Sequence, residues 1–269
     1  MADSIAASAQ GAVPLDDRGL LLGDGLFETL LFTRGALVLA ETHAERMRDG
    51  AAVLGLPAPS ADAFIDCALA AVAAAGLPDA RAAVRITLTA GSGGRGLDRP
   101  ALLRPRLFAT AAPATKPGAP ARLAIATTRR NQDSPASRLK TLAYLDNVLA
   151  RREAAAAGAD EAVMLNTRGE LACAAAANLF WLSGEVVLTP AQRTGRLDGV
   201  MARQVIAAAS ALGVEVRQVS AGAEALGQAD AIFLTSSLIG VRPAGLADRA
   251  APSPHPLVAR LKAAIAGFV

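Results

Sequence analysis

The sequence predicts an α+β protein of two lobes, and three observations carry that reading. Runs that alternate with period two and runs with helical spacing are interleaved along the chain, with no internal repeat at solenoid periods. A proline-rich stretch, Pro113–Pro120 (P-A-T-K-P-G-A-P), interrupts them and reads as a linker between a first lobe, residues 1–112, and a second, residues 121–269. The 269 residues, 52% of them hydrophobic, suffice for one large core or two smaller ones. Aromatic residues are only 3%, so packing rests on aliphatic side chains.

Residues 1–13 are small and polar and are expected to form a frayed tail. A Gly-Asp-Gly turn at 23–25 feeds an extended run, and Leu30–Phe32 with Ala36–Ala40 bracket Thr33-Arg-Gly35 as a hairpin. Thr42, with Glu45 three residues on, has the form of a capping box for a helix to about Leu54. Ser60 caps a second helix, Ala61–Ala75, and Ala82–Ala90 alternates as a strand running into Gly91-Ser-Gly-Gly-Arg-Gly96. After the linker come a strand (Leu123–Thr127), a loop, a helix from Leu142, and a strand (Glu161–Leu165). A turn at Asn166–Gly169 leads to strands at Leu171–Cys173, Asn178–Leu182 and Val186–Thr189, the last two joined at Ser183-Gly184. A loop at Gly195–Gly199 opens a helix, Val200–Leu212, followed by strands Val214–Val219 and Ala231–Ser236 and a final helix from about Pro256 to Phe268.

Composition excludes several classes of function. The net charge is +3 and the arginines are dispersed, which suits small anionic ligands better than a nucleic-acid footprint. Cys67 and Cys173 form no metal-ligand spacing, and Cys67 reads as a buried small hydrophobe. No apolar run reaches the length of a membrane span and the start lacks a secretory pattern, so a cytoplasmic protein without membrane or nucleic-acid partners is expected. No Walker or Rossmann fingerprint follows Gly23 or Gly25.

The stretch S-P-A-S-R-L-K-T-L-A-Y at 134–144 is the most informative. Lys140 stands just before Leu142, Leu145, Val148 and Leu149, whose spacing predicts an apolar helix face pinned to a core, with Gly158 ending the helix. A lysine at such a helix mouth is either an exposed first-turn charge or a Schiff-base nucleophile. His43 and Arg46 share a helix face; His43 reads as a satisfied core histidine, and Arg46 as either a surface charge or an anion ligand. Gly91–Gly96 is either a long hairpin tip or a backbone that approaches an anion closely.

Seven collinear pieces decide more than any one. They are D-R-G-L-L-L-G-D-G-L-F-E-T at 17–29, H-A-E-R-M at 43–47, S-R-L-K-T-L-A-Y-L-D-N-V-L-A-R-R-E-A at 137–154, A-D-E-A-V-M-L-N at 159–166, A-A-N-L-F-W at 176–181, D-G-V-M at 198–201 and L-T-S-S-L at 234–238. In that order, from about Asp17 to Pro243, the chain resembles the fold-type IV pyridoxal-phosphate enzymes: branched-chain and D-amino-acid aminotransferases and aminodeoxychorismate lyases. The resemblance implies a small N-terminal α/β sandwich lobe, a larger C-terminal lobe with a mixed sheet or barrel, pyridoxal 5'-phosphate as cofactor, and a homodimer. It implies that Lys140 holds the cofactor as a Schiff base and then moves protons, and that Arg46 binds the phosphate. The backbone amides of Val200 and Met201 and the side chains of Ser236 and Ser237 would complete the phosphate cup. Tyr144, Cys173 and Asn178 fall at positions near the cofactor ring, with a core role open for Tyr144.

Three departures accompany the resemblance. Cys173 stands where the family has a glutamate for the ring nitrogen, five residues before Asn178, and Glu170 is an odd number of strand positions away. Ala202 stands where an arginine is usual, with Arg203 one helical step of about 100° later. Ala143 replaces an asparagine after the lysine. Within the family, R-I-T-L-T-A-G-S-G-G-R-G-L at 85–97 is most similar to the lyases, which implies conversion of 4-amino-4-deoxychorismate to 4-aminobenzoate and pyruvate in folate biosynthesis. Arg95 is then either a ligand for a carboxylate of this small carboxylated amine or a surface-loop charge. An aminotransferase for branched-chain or D-amino acids, and a catalytically degenerate cofactor-binding paralogue, remain alternatives.

Overall fold

The computed structural model describes residues 12–249 and 254–268 in full and 6–8 as backbone. Two compact units emerge, one of Met1–Thr115 with Leu139–Ala143, the other of Lys116–Arg138 with Tyr144–Val269. Among the described residues no helix is long and apolar enough to cross a membrane.

The first unit is a five-stranded sheet under two helices. Its elements are β1 (Ala6–Ser8), α1 (Arg18–Leu22), β2 (Gly25–Thr33), β3 (Ala36–Leu37), α2 (Ala40–Leu54), α3 (Ala61–Ala74), β4 (Ala82–Thr89) and β5 (Arg106–Pro113), with strand order β1-β5-β4-β2-β3. Strand alternation sends Leu26, Leu30 and Phe32 of β2 and Val84, Ile86 and Leu88 of β4 to one face. Met47 and Ala51 of α2 and Phe64, Cys67, Ala68 and Val72 of α3 close over them. The frayed-tail expectation fails at Ala6–Ser8, which pairs in parallel with Arg106–Phe108; residues 1–5 and 9–11 lie outside the described part. Thr42 does not cap α2 either. Leu39 takes a left-handed conformation (φ 54°) as the chain leaves the hairpin, so the helix has already begun at Ala40 and Thr42 lies inside it. Ser60 does cap α3, its Oγ accepting from the Ala63 N–H at 3.1 Å.

One charged side chain interrupts the apolar face of β2. Glu28 shares that face by alternation and is 1% exposed. Both partners come from α2: His43 Nδ1 lies 2.6 Å from Oε2, and Arg46 donates from Nε (2.7 Å) and Nη2 (2.6 Å). Burial alone would raise the Glu28 pKa; the Arg46 charge and the hydrogen bonds from His43 and Arg46 outweigh it and hold the carboxyl at about 2. Burial pulls His43 below its ordinary value, against the pull of Glu28, so the imidazole is neutral and its Nδ1–H donates.

The second unit carries an eight-stranded mixed sheet. Its elements are β6 (Ala121–Ile125), α4 (Pro135–Arg138), α5 (Leu145–Ala156), β7 (Glu161–Leu165), β8 (Leu171–Ala174), β9 (Asn178–Ser183), β10 (Val186–Pro190), α6 (Val200–Ala211), β11 (Val216–Val219), α7 (Glu224–Gly227), β12 (Ala231–Ser236), β13 (Gly240–Leu246) and α8 (Pro256–Ala264). The order is β11-β10-β9-β12-β13-β6-β7-β8. The two edges meet: the Leu171 N–H at the start of β8 donates to Ala221 C=O, just past β11, at 2.7 Å, and Glu170 bridges Gly222. That tie curls the sheet toward a half-barrel and removes an exposed edge.

The helix after Lys140 departs from the sequence reading. It starts at Leu145, and Leu145, Val148 and Leu149 are exposed. The buried face is Asn147, Ala150 and Ala154, set against Ala162, Met164, Ala172 and Cys173; small residues let the helix lie close on β7 and β8. Asn147 donates from Nδ2 to Ala175 C=O at 2.7 Å. Gly158 follows the helix in the left-handed region (φ 68°), as expected of its sequence position.

The Glu28 cluster makes stability pH-dependent in a known direction. Both folded-state pKa values lie below the unfolded ones, so the stabilisation is complete above the unfolded histidine pKa, about 6.5. It declines as pH falls, first as His43 must be charged and then between about 4.5 and 2 as Glu28 is protonated. We expect Glu28→Gln to cost about 3 kcal/mol at pH 7, because it leaves Arg46 without its counter-charge. Its melting temperature should also fall less steeply below pH 4.5 than that of the parent; an equal slope would assign the acid sensitivity elsewhere.

Candidate active site

The candidate residues fall in both units: Lys140, Arg46 and Arg95 in the first, the others in the second. In the first, Lys140 is not at a helix mouth. Its C=O accepts from the Phe27 N–H (2.9 Å), and the Leu142 N–H donates to Gly25 C=O (3.0 Å), so the segment lies extended along β2. This places Lys140 Nζ over the Phe27 ring, 4.1 Å from its centroid, with the Arg85 guanidinium carbon 3.7 Å from the same centroid. The Lys140 charge is also felt at His43, where it opposes protonation. Arg46 therefore belongs to the neighbourhood of Lys140 through His43, but its Nε/Nη2 edge is closed on Glu28.

Arg95 lies exposed on the loop after β4, paired through its backbone with Asp98 (3.2 and 3.1 Å). That loop is held by Arg18, a residue the sequence reading passed over. The buried Arg18 guanidinium donates to the carbonyls of Leu97 (2.9 Å), Asp98 (3.0 Å), Gly93 and Gly96 (both 3.4 Å), and its Nε donates to Asp24 (2.9 Å). Arg99 grips the same Asp24 through two nitrogens (2.5 and 3.0 Å). Gly91–Gly96 is thus a loop tied to Arg18, with Arg95 exposed on it.

In the second unit Asn178 organises the opening of α6. Its Nδ2 donates to Leu197 C=O at 2.8 Å, and a Cβ at Gly199 would collide with its side-chain oxygen. Gly199 is the N-cap and offers no side chain, so the first amides of α6, those of Val200 and Met201, are not capped from within the helix. Such an end attracts an anion. Asn178 is also the ladder partner of Thr235, whose buried Oγ1 has no hydrogen-bond partner. Ser236 and Ser237 follow at the end of β12, both half-buried. Asn178 thus links the loop that opens α6 to the end of β12. Tyr144 is half-buried at the N-terminus of α5. Arg203 turns back to Asp198 (2.9 and 2.7 Å), while Ala202 is fully buried.

Cys173 on β8 is 4% exposed, and burial pushes its thiol upward, so it is neutral. The charges of two arginines, Arg130 and Arg196, reach it, as does that of Glu161, which ion-pairs with Arg151 at 3.1 Å. Glu170, odd-numbered from Cys173 along the strand, takes Asn166 Nδ2 at 2.7 Å. Arg130 donates from Nε to Gly195 C=O (2.7 Å) and from Nη2 to Ser137 C=O. Arg196 is 2% exposed; its Nη2 donates to Gln218 (3.3 Å), while its Nε and Nη1 have no partner. Neither arginine was picked out in the sequence, since Arg130 in the polar run Arg129-Arg130-Asn131 and Arg196 beside Gly195 both look like loop surface. Glu28 had a readable signal, a charge in phase with Leu26, Leu30 and Phe32.

Uncapped amides at the start of α6 suit a ligand with a phosphate. The comparisons with known proteins agree. The amino-transferase class IV profile matches residues 25–246. An aminodeoxychorismate lyase of Bacillus subtilis is 30% identical over 84% of this chain and 78% of its own. A Methanocaldococcus jannaschii protein, provisionally named a branched-chain-amino-acid aminotransferase, is 30% identical over 86% of this chain and 81% of its own. Among solved structures, a Legionella pneumophila protein titled provisionally as 4-amino-4-deoxychorismate lyase superposes with a TM-score of 0.88 at 28% identity, covering 97% of this chain and 96% of that one. The chain belongs to the class IV aminotransferase family of pyridoxal-phosphate enzymes.

Proposed function

We propose that this protein is a 4-amino-4-deoxychorismate lyase, releasing 4-aminobenzoate and pyruvate. The observation that carries the choice of reaction is the buried, neutral Cys173 thiol at the position where the family has a glutamate. Bound pyridoxal phosphate supplies an aldehyde for an amine and a ring that withdraws electron density from the substrate. Lys140 Nζ is the amine for that aldehyde and the group that takes the substrate's C4 proton. The amides of Val200 and Met201, with Thr235, Ser236 and Ser237, hold the phosphate. Arg46, kept in place by Glu28 and His43, supplies a positive charge for the phosphate. Arg95, exposed on the loop tied to Arg18, faces a substrate carboxylate.

With Cys173 where the family has its glutamate, electron withdrawal through the ring would be weaker. Transamination depends on that withdrawal, because a proton must return to the cofactor carbon. Loss of pyruvate is driven by aromatisation of the product and tolerates a weaker sink. The relative and structure named as lyases support this reading. The 30%-identical relative provisionally named an aminotransferase supports a second, in which an amino group is transferred between a small amino acid and a keto acid.

A homodimer is part of the proposal. Leu20, Leu21 and Leu22 of α1 and Leu97 and Leu102 of the neighbouring loop are exposed in the first unit, which suits a surface covered by a second copy. Sedimentation should give a species of twice the 27.2 kDa chain mass; a monomer at micromolar concentration would contradict it.

Incubating the protein with 4-amino-4-deoxychorismate and no amino acceptor separates the readings. We expect equimolar 4-aminobenzoate and pyruvate. Conversion of the cofactor to its amine form by an amino acid, without pyruvate from 4-amino-4-deoxychorismate, would favour the aminotransferase, and neither activity would identify a degenerate paralogue. In Cys173→Glu a carboxylate beside two arginines would be ionised, and transaminase side activity should rise about tenfold or more; no rise would count against the role given to Cys173.

A further inference from the structure

The stretch Asp17–Gly25 (D-R-G-L-L-L-G-D-G) holds two segments of the first unit at once. At one end, Arg18 donates from its guanidinium to four carbonyls of the loop that carries Arg95, and its own N–H donates to Gly91 C=O at 2.9 Å. At the other end, Gly25 C=O accepts from the Leu142 N–H, just past Lys140. Asp24 ties the two ends together. Its carboxylate takes Arg18 Nε, its N–H donates to Arg18 C=O (3.3 Å), and its C=O accepts from the Ala90 N–H (3.0 Å). A continuous run of hydrogen bonds and short chain thus joins the Lys140 segment to the Arg95 loop inside one compact unit.

We propose that Arg18 is a positioning residue that fixes Arg95 relative to Lys140, so that a substrate carboxylate held by Arg95 is presented at a set distance from the amine. The inference rests on the reading of Arg95 as the carboxylate ligand. Gly93, Gly94 and Gly96 lie at φ 104°, 86° and 57°, a backbone with wide conformational choice unless something holds it. Burying a guanidinium is costly, yet this one, 5% exposed, sends its Nη donors to the carbonyls of an exposed loop. Arg95 is the sole side chain that the loop presents between Gly93 and Gly96. The planar fork of Arg18 meets Asp24 through Nε and the loop through both Nη atoms; a lysine ammonium is a point charge and cannot span them. A small misplacement of a substrate-holding group is enough to weaken binding and slow the reaction.

The test is calorimetric titration of the cofactor-loaded protein with 4-aminobenzoate, with KM and kcat for 4-amino-4-deoxychorismate, in Arg18→Lys, Arg95→Met and the double variant. Arg18→Lys and Arg95→Met should each weaken 4-aminobenzoate binding and raise KM about tenfold, while kcat falls less than about threefold. The double variant should bind about as weakly as Arg95→Met alone, because Arg18 acts through Arg95. Gly94→Ala, whose Cβ would collide with the Asp98 carbonyl oxygen, keeps Arg18 and should reproduce the loss. Additive losses in the double variant would overturn the proposal. So would an Arg18→Lys protein with a lowered melting temperature and unchanged 4-aminobenzoate affinity, the mark of a merely structural arginine. Arg95→Met that binds 4-aminobenzoate as the parent does would overturn the carboxylate role of Arg95 and this proposal with it. A parent that binds 4-aminobenzoate through Arg95 but releases no pyruvate would overturn the lyase reading alone, and the titrations would still decide the role of Arg18.

Discussion

Two backbone hydrogen bonds, from Phe27 N–H to Lys140 C=O and from Leu142 N–H to Gly25 C=O, determine where Lys140, the proposed cofactor lysine, stands. They stitch a five-residue piece, Leu139–Ala143, onto β2 of the first unit, although its flanks belong to the second. Because β2 also carries Glu28 and Phe27, the same strand positions the lysine and anchors Arg46 and His43. An aromatic face below Nζ and a compensated carboxylate nearby are consequences of that register. Shifting the pairing by one residue would turn Phe27 to the wrong face.

The second unit reaches its arrangement by a different route. Asn178 and Arg130 hold the carbonyls of a glycine-bearing loop, and the loop delivers both an uncapped helix end and a buried arginine. Side-chain to backbone hydrogen bonds of this kind fix a loop more tightly than packing does, because each has a defined direction. Around Cys173 the arginines have no carboxylate on the same strand to balance them, and Glu161 is committed to Arg151.

Much of the fold was legible in the sequence, and the failures have physical causes. Alternation gave β2, β4, β7, β9, β10 and β12 within a residue or two, and Ser60, Gly158 and Ser183-Gly184 marked ends correctly. Thr42 misled because Leu39 adopts a left-handed conformation that no side chain announces. The leucines of α5 misled because the face that packs is built of alanines, which carry little weight in a periodicity count. Gly240–Leu246, with Pro243 in its middle, was not read as a strand, yet it forms β13 between β12 and β6. Of the candidate site residues, Lys140, Arg46 and the α6 terminus are the ones that motif order picks out. Arg18, Arg130 and Arg196 are not among them, since only the folded chain shows that these arginines are buried and what they reach.

The account depends on Lys140 being the residue that joins the cofactor. Reducing the protein loaded with pyridoxal phosphate by borohydride, digesting it and mapping the modified peptide by mass spectrometry tests this directly. The account predicts a single cofactor adduct, on the peptide containing Lys140, and its absence in Lys140→Ala. An adduct on Lys116 or Lys262 instead, or undiminished labelling in Lys140→Ala, would contradict it.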